Sequence, residues 1–363
     1  MKEPVIEQIW MERKKLPLRM PFAISKGTLE SSDNVFFFVK DSSQLMGLGE
    51  SAPFPVLTGD TAQIVEDIGN VILRSFLGLT VDQGLREILQ TLRKEYWTQS
   101  PTILTGIEMA LLDLRAKQMG ISLSRAFGTS NLAQLRSDIT LPIMPTSQVP
   151  EFWGHFSSHE FLEIKVKVGG HGVSEDADRV EHVFSLAPKG TKVSLDGNQG
   201  CTVESSLELL KTLAMRGIHP TLFEQPLNEK AFEGMAELSR KTETPICADE
   251  LVKTKEDAIR AVLASSCKMI NLKFMKSGIH EAIMIAGVAK SAGLGLMIGG
   301  MVETEVAMSS SLHFACGSGL IDWLDLDTPF FFGEAVTDDS PWHRGKASLI
   351  CPNGPGLGIQ WKK

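Results

Sequence analysis

The sequence predicts an α/β fold in which a smaller α+β domain precedes a parallel (β/α)8 barrel. Three observations lead there. From DITLPI at 138–143 onward, short apolar runs alternate with amphipathic segments, the pattern of strands and crossover helices in a parallel sheet. Such runs fall at 138–142, 162–167, 192–196, 220–224, 245–249, 268–273, 294–298 and 321–325, the number that closes a barrel. Five charged residues, Lys167, Asp196, Glu224, Asp249 and Lys273, each end or follow an apolar run, and each step between them is close to the roughly 30 residues of one βαβ unit.

In chain order, residues 5–14 alternate loosely, NVFFFVK at 34–40 is aromatic and β-branched, and 45–49 is glycine-rich, which predicts an antiparallel meander. In TGIEMALLDLRAKQMG, Ile107, Ala110, Leu111 and Leu114 share one helical face, and Gly120 is placed to end that helix. This first unit is expected to span 1–130 and the barrel 131–330. Helix-like stretches such as SSLELLKTLAMRG and HEAIMIAGVAKSAG separate the strands, each closed by a glycine. The Gly- and Pro-rich remainder, 331–363, is expected to leave the barrel and pack back on the first unit.

Composition narrows the function classes. At 363 residues, 43% of them hydrophobic, the chain has room for a barrel of about 250 residues and a second core. A net charge of −8 argues against a general nucleic-acid binder. No apolar run reaches the roughly 18 residues of a membrane span, and Glu7 and Glu12 interrupt the N-terminal stretch, so neither membrane nor export signal is expected. The five cysteines are odd in number and form no C-x-x-C pair, which suits a reducing cytoplasm.

Residues at the C-terminal ends of successive barrel strands converge on one mouth, where chemistry sits. Asp196, Glu224 and Asp249 would bring three hard oxygen donors there, the ligands Mg²⁺ prefers. A single strand-end acid serves equally well as a helix cap or a solvated charge; three in register do not. Asn198 and Glu250, beside these acids, are candidates for outer-shell support. Lys165 and Lys167 point to one face of their strand. Inward, they need the carboxylates as counter-charges; outward, they leave Val166 and Val168 to the barrel interior, and alternation alone decides neither. A lysine beside another cation has its pKa lowered toward neutrality, as a general base requires. Lys273 is expected opposite Lys167 as a second base, and Lys276 to be a solvated charge. Two bases facing one carbon would move its α-proton from one face to the other while a metal stabilises the enediolate.

These motifs together, EIKVKVG (163–169), SLDGNQG (194–200), FEQPL (223–227), CADE (247–250) and NLKFMKSGI (271–279), resemble the enolase superfamily in its muconate-lactonizing-enzyme-like branch, over essentially the whole chain. The resemblance implies a modified (β/α)8 TIM barrel with an N-terminal α+β capping domain completed by the C-terminal segment. It also implies one Mg²⁺ per subunit on Asp196, Glu224 and Asp249, Lys167 and Lys273 as acid/base catalysts, and Lys165 on the substrate carboxylate. The branch that uses a histidine near the seventh strand is disfavoured, since no His lies between 281 and 312.

D-L-D at 325–327 follows the eighth strand, and both acids share a face. Asp327-Thr328-Pro329 is good turn chemistry, but the pair also suits an ammonium group held by charge-assisted hydrogen bonds. The motif resembles the D-x-D of dipeptide epimerases, which implies a dipeptide epimerised at its C-terminal residue, with L-Ala-D/L-Glu as a candidate. Alternatives on the same scaffold are N-acylamino acid racemisation, o-succinylbenzoate synthesis and muconate cycloisomerisation, which need no ammonium clamp. GGMVETE (299–305), with Gly300, Met301 and Glu303, resembles a substrate-lining segment, and Thr140 on the first strand is a further candidate contact; a phosphate cradle is the competing use of Gly-Gly. Specificity is expected from loops at 21–33 and 51–61. There Gly27 is a candidate hinge and Lys26 a candidate partner for an acidic side chain or simply an exposed charge. Glu30 and Asp33 leave a basic or neutral side chain open. The expected protein is a cytoplasmic homo-oligomer acting on a small dipeptide.

Overall fold

A computed structural model describes residues 3–128 and 134–362, so the expected domain boundary at 130/131 lies outside the described residues. The N-terminal meander is an antiparallel sheet of β1 (Ile6–Ile24), β2 (Gly27–Asp41) and β3 (Met46–Ser51). Val35, Phe37 and Val39 alternate with Phe36 and Phe38 along β2, and both sets are buried in separate clusters, one on each face of the sheet. Helices α1 (Ala62–Ile72) and α2 (Pro101–Gln118) pack against this sheet. The glycines of β3 have a steric cause: a Cβ on Gly49 would stand 2.1 Å from the carbonyl oxygen of Gly106 on α2.

After β4 (Gln134–Arg136) comes one eight-stranded parallel sheet. Its strands are β5 (Ile139–Leu141), β6 (Glu163–Lys167), β7 (Lys192–Asp196), β8 (Phe223–Glu224), β9 (Ile246–Ala248), β10 (Met269–Leu272), β11 (Gly295–Ile298) and β12 (Trp323–Leu324), in consecutive order. The two edges of this curled sheet meet where the Asp138 N–H donates to the Leu324 carbonyl at 3.2 Å. Crossover helices α3 (Val149–Phe156), α4 (Val173–Leu186), α5 (Val203–Met215), α6 (Phe232–Lys241), α7 (Lys255–Ala264), α8 (Ile279–Ser291) and α9 (Glu305–Ser318) connect the strands. Capping boxes at Thr202 and Thr254 start α5 and α7.

Two carboxylates reach from the N-terminal unit to cap barrel helices. Glu50 on β3 accepts from the backbone N–H groups of Thr304 and Ala307 at 2.9 Å each and from the Thr304 hydroxyl at 2.7 Å, at the start of α9. Glu108 on α2 accepts from Ile279 and His280 N–H at 2.8 and 2.9 Å, at the start of α8. Carboxylates suit helix N-termini, so both hold the cap to the barrel at a defined angle. Burial, opposed by these hydrogen bonds, pushes each carboxyl up to about 7. In the C-terminal segment β13 (Ser348–Ile350) pairs antiparallel with β4, and Trp361 returns to the first unit, packing on Phe36 and Phe38 with ring centroids 4.5 and 5.2 Å away.

Candidate active site

Parallel register sets the charged residues at one level. Lys167 pairs with Asp196 across β6–β7, and Asp196 with Glu224 across β7–β8. Thr140 pairs with Lys165 one layer deeper. Lys165 and Lys167 face inward, at 1% and 6% exposure, and Val166 and Val168 are buried in the apolar core cluster; the alternation left open in the sequence is decided by the acids that Lys165 and Lys167 meet. Lys165 Nζ donates to Glu224 Oε2 at 2.9 Å and to Asp325 Oδ2. Lys167 Nζ donates to Asp196 Oδ2 at 2.5 Å. Lys273 Nζ lies 2.6 Å from Asp249 Oδ2 and 3.8 Å from Glu224 Oε1. Lys167 and Lys273 stand on or beside β6 and β10, four strands apart and thus on opposite sides of the curled sheet.

Lys165 and Lys273 are governed by the carboxylates they face rather than by each other. Burial opposes the charge of each, but the facing carboxylates, Asp325 and Glu224 for Lys165 and Asp249 and Glu224 for Lys273, outweigh it and hold both ammonium groups above the usual lysine range. Asp249 is held below the carboxylate range despite burial, because Lys273 and Lys276 flank it. Glu224, buried beside Asp196, is pushed up to about 7.

Lys276 is not the solvated charge the sequence predicts. Its Nζ is buried and donates to Asp249 Oδ1 at 2.6 Å, to the Asp249 carbonyl at 2.5 Å and to the Asn271 carbonyl at 2.7 Å. The turn Phe274–Ser277 folds the chain back so that a residue three beyond Lys273 re-enters the barrel. Gln225 and Asn271 are further site residues that the sequence does not mark. Gln225 Oε1 accepts from Asp249 and Leu251 N–H at 2.9 and 3.0 Å, while Asn271 Nδ2 donates to Glu224 Oε1 at 2.7 Å. Their signal in the sequence is only their place beside a charged strand end.

Asp196, Glu224 and Asp249 are fully buried, come from adjacent strands and offer hard oxygens, a donor set that fits Mg²⁺. Asn198 Nδ2 donates to Glu250 Oε1 at 3.4 Å, which leaves Asn198 Oδ1 and Glu250 Oε2 buried without a hydrogen-bond partner beside the trio. Asp249 Oδ2, though in ion-pair contact with Lys273, lacks hydrogen-bond geometry. Buried oxygens in that condition fit a cation that the trio would share.

The tightest acid cluster is a different one. Carboxylate oxygens of Asp138, Asp325 and Asp327 lie within 4.8 Å of one another. Asp327 Oδ2 accepts from Thr140 N–H at 2.6 Å, and Trp323 Nε1 donates to Asp138 Oδ2 at 3.3 Å. Burial followed by the Asp325 charge raises Asp327 to about 6 and Asp138 well above its normal value. This pocket of surplus negative charge suits an ammonium group. Gly299 makes room for the Asp325 carboxylate, since a Cβ there would stand 2.7 Å from Asp325 Oδ2. A Cβ on Gly300 would stand 2.1 Å from Met308 Cε, so close packing accounts for both glycines.

A cavity of about 20 Å³ over these groups is lined by Thr140, Lys167, Asn198, Lys273, Gly300, Met301, Val302, Asp325, Asp327 and Thr328, and roofed by Phe22, Ile24, Phe54 and Leu57. Glu303 lies just behind this lining, its Oε1 accepting from Met301 N–H at 2.8 Å, and burial raises its carboxyl to about 8. The stretch 21–33 is a strand hairpin rather than a loop: Ile24 pairs with Gly27, Ala23 with Thr28 and Phe22 with Leu29, leaving Ser25 and Lys26 as a two-residue turn. Lys26 is exposed at that turn and does not line the cavity, whereas the Ser25 hydroxyl lies 3.1 and 2.9 Å from the carbonyls of Gly197 and Asn198.

Comparison with known proteins accords with this geometry. Residues 6–128 match the mandelate racemase / muconate lactonizing enzyme N-terminal domain, and residues 153–363 match the enolase C-terminal domain-like family. The chain belongs to the mandelate racemase / muconate lactonizing enzyme family. One relative in this family, the aromatic dipeptide epimerase of Herpetosiphon aurantiacus, is 34% identical over 91% of each chain. The substrate-liganded L-Ala-D/L-Glu epimerase of Bacillus subtilis superposes with a TM-score of 0.91 at 28% identity over 98% of each chain. The Enterococcus faecalis dipeptide epimerase, solved with Mg and L-Leu-L-Tyr, gives 0.91 at 28% identity over 98% of this chain and 99% of that one. Among the described residues no helix is long and apolar enough to cross a membrane.

Proposed function

We propose that this protein is a Mg²⁺-dependent dipeptide epimerase that inverts the α-carbon of the C-terminal residue by moving one proton between two lysines. The observation that carries this reading is the pairing of Lys167 and Lys273, four strands apart across one cavity, with the Asp325–Asp327 pair in the same lining. The activities named for the relatives support it, and the acid pair favours it over racemisation of N-acylated substrates, which carry no ammonium group.

Asp196, Glu224 and Asp249 would hold the metal, with Asn198 and Glu250 behind them; the ion supplies Lewis-acid stabilisation of the negative charge that the substrate carboxylate gains. Lys165 neutralises that carboxylate from below. Asp325 and Asp327 hold the N-terminal ammonium and so fix where the α-carbon sits, with Thr140 supporting Asp327 and the Gly300–Met301 backbone alongside. One lysine, uncharged, takes the α-proton; the α-carbon flattens; the other, charged, returns a proton to the opposite face. Each turnover exchanges the two protonation states, so the enzyme works in both directions. Lys276 and Gln225 keep Asp249 in place.

A homo-oligomer is supported by an exposed apolar patch on α7 and α8, where Leu263 is 81% exposed beside Ile259, Ile283 and Met284. A cytoplasmic setting is supported by five free cysteines.

The test is incubation with Mg²⁺ and a small L,L-dipeptide set in D₂O. Mass spectrometry is expected to show one deuterium gained per molecule, with accumulation of the L,D epimer. Asp325→Asn and Asp327→Asn are each expected to abolish dipeptide turnover. Faster turnover of N-acylamino acids than of dipeptides by the unaltered enzyme would sink the proposal.

A further inference from the structure

Resting on the epimerase reading, we infer that the residue being inverted carries an apolar side chain, received by Ile24, Phe54 and Leu57. The four bonds of the α-carbon set the directions. Two-base inversion places Lys167 and Lys273 on opposite faces of the plane that holds the carboxylate, the amide nitrogen and the side chain. The carboxylate points down to Lys165 and the Asp196–Glu224–Asp249 trio. The amide leads sideways to the residue whose ammonium meets Asp325 and Asp327. The third in-plane direction runs away from the barrel floor, into the roof.

That roof presents carbon. Ile24 and Phe54 are 6% and 4% exposed, and Leu57 completes the wall. Every charged group on the roof elements is engaged or turned away. Asp33 is held by Arg13 at 2.6 Å, and Asp60 accepts from the Ser100 and Thr102 hydroxyls at 2.6 Å each. Lys26 and Glu30 are exposed, and neither lines the cavity. The charged residues that do line it, the two lysines and the two aspartates, are committed to the proton and the ammonium. A carboxylate or ammonium on the inverted residue would therefore be buried without a partner, which is far costlier than burying an alkyl or aryl group. Lys26 at the hairpin turn is no substitute, because the strand pairing of Ile24 with Gly27 sets it beyond the wall.

The measurement is α-proton exchange in D₂O with Mg²⁺ for L-Ala-L-Leu, L-Ala-L-Phe, L-Ala-L-Glu and L-Ala-L-Lys. The better apolar peptide is expected to exceed both charged ones in kcat/KM by about 100-fold, since even one methylene in a fitted pocket is worth about 10- to 200-fold. Equal or faster exchange of the Glu or Lys peptide would overturn this inference and leave the epimerase reading standing; exchange of none of the four would overturn the epimerase reading itself. Leu57→Arg and, separately, Ile24→Arg are expected to shift the Glu-to-Leu ratio toward Glu by tenfold or more. An unchanged ratio in both variants, with thermal melting showing them folded, removes these side chains from the wall.

Discussion

The floor and the roof of the cavity are built by opposite physics. Beneath, lysines and carboxylates at strand ends neutralise one another in full burial; above, a hairpin and a helical turn close the site with aromatic and aliphatic carbon. Charges in a low-dielectric floor act strongly on any charge that develops during reaction, while a carbon roof discriminates by shape and desolvation. On the proposed reading the barrel carries the chemistry and the ammonium clamp, the N-terminal unit carries the choice of side chain, and Ser25 joins the two.

The sharpest way to test that division is to strike the floor. Lys167→Ala and Lys273→Ala are each expected to lower epimerisation by about 10²- to 10⁴-fold or more, the usual worth of a positioned acid or base. Each is expected to retain α-proton exchange for one stereoisomer only, and for opposite ones, as followed by NMR in D₂O. Identical stereochemical preference in the two variants would break the two-sided geometry.

An intermediate effect belongs to the seam that holds roof to floor. Glu50→Ala leaves the Thr304 and Ala307 N–H groups without their acceptor and is expected to cost about 1–3 kcal/mol in stability, read by thermal melting. Glu50 and Glu108 both have carboxyls raised from 4.5 to about 7 by burial. The folded state thus binds these protons more tightly than the unfolded chain, so their contribution is complete below about 4.5 and is lost as pH rises through about 7. The melting temperature of the double Glu50→Gln, Glu108→Gln variant is expected to depend less on pH across that window than that of the unaltered protein.

The smallest effect is expected at the roof's outer edge. Lys26→Ala is expected to change kcat/KM for charged and apolar dipeptides alike by less than about twofold, as surface substitutions away from special features do. A selective loss on the Glu peptide would bring Lys26 back into the site and undo the contrast.

The contrast also explains what was legible in the sequence. A buried charge is rare enough to stand out, and Lys167, Asp196, Glu224, Asp249 and Lys273 did so through their spacing, which the parallel register turns into one level of the barrel. Ile24 and Leu57 carry no such mark, because an aliphatic residue facing a cavity looks the same in sequence as one facing a core. The hairpin at 21–33 carries little strand signal, because Gly27, Ser31, Ser32 and Asp33 are weak strand formers and only pairing with β1 draws them into a strand. Around β8 the apolar run is strand-like beyond Phe223–Glu224, since the Thr221 N–H donates to the Val193 carbonyl at 2.8 Å and the Gln225 N–H to the Cys247 carbonyl at 2.9 Å. Lys276 reads as a solvated charge because local pattern does not reveal a turn that doubles back into the barrel.

The hydroxyl of Ser25 sits against the carbonyls of Gly197 and Asn198, the turn that immediately follows Asp196. A dipeptide larger than the cavity of about 20 Å³ would enter by displacing this hairpin tip. Admission by that route would detach a fastener mounted next door to a proposed magnesium ligand. The doorway and the ion would share a hinge-post, and a substrate that fits well enough to let Ser25 re-engage would steady the metal's neighbourhood as the door shuts.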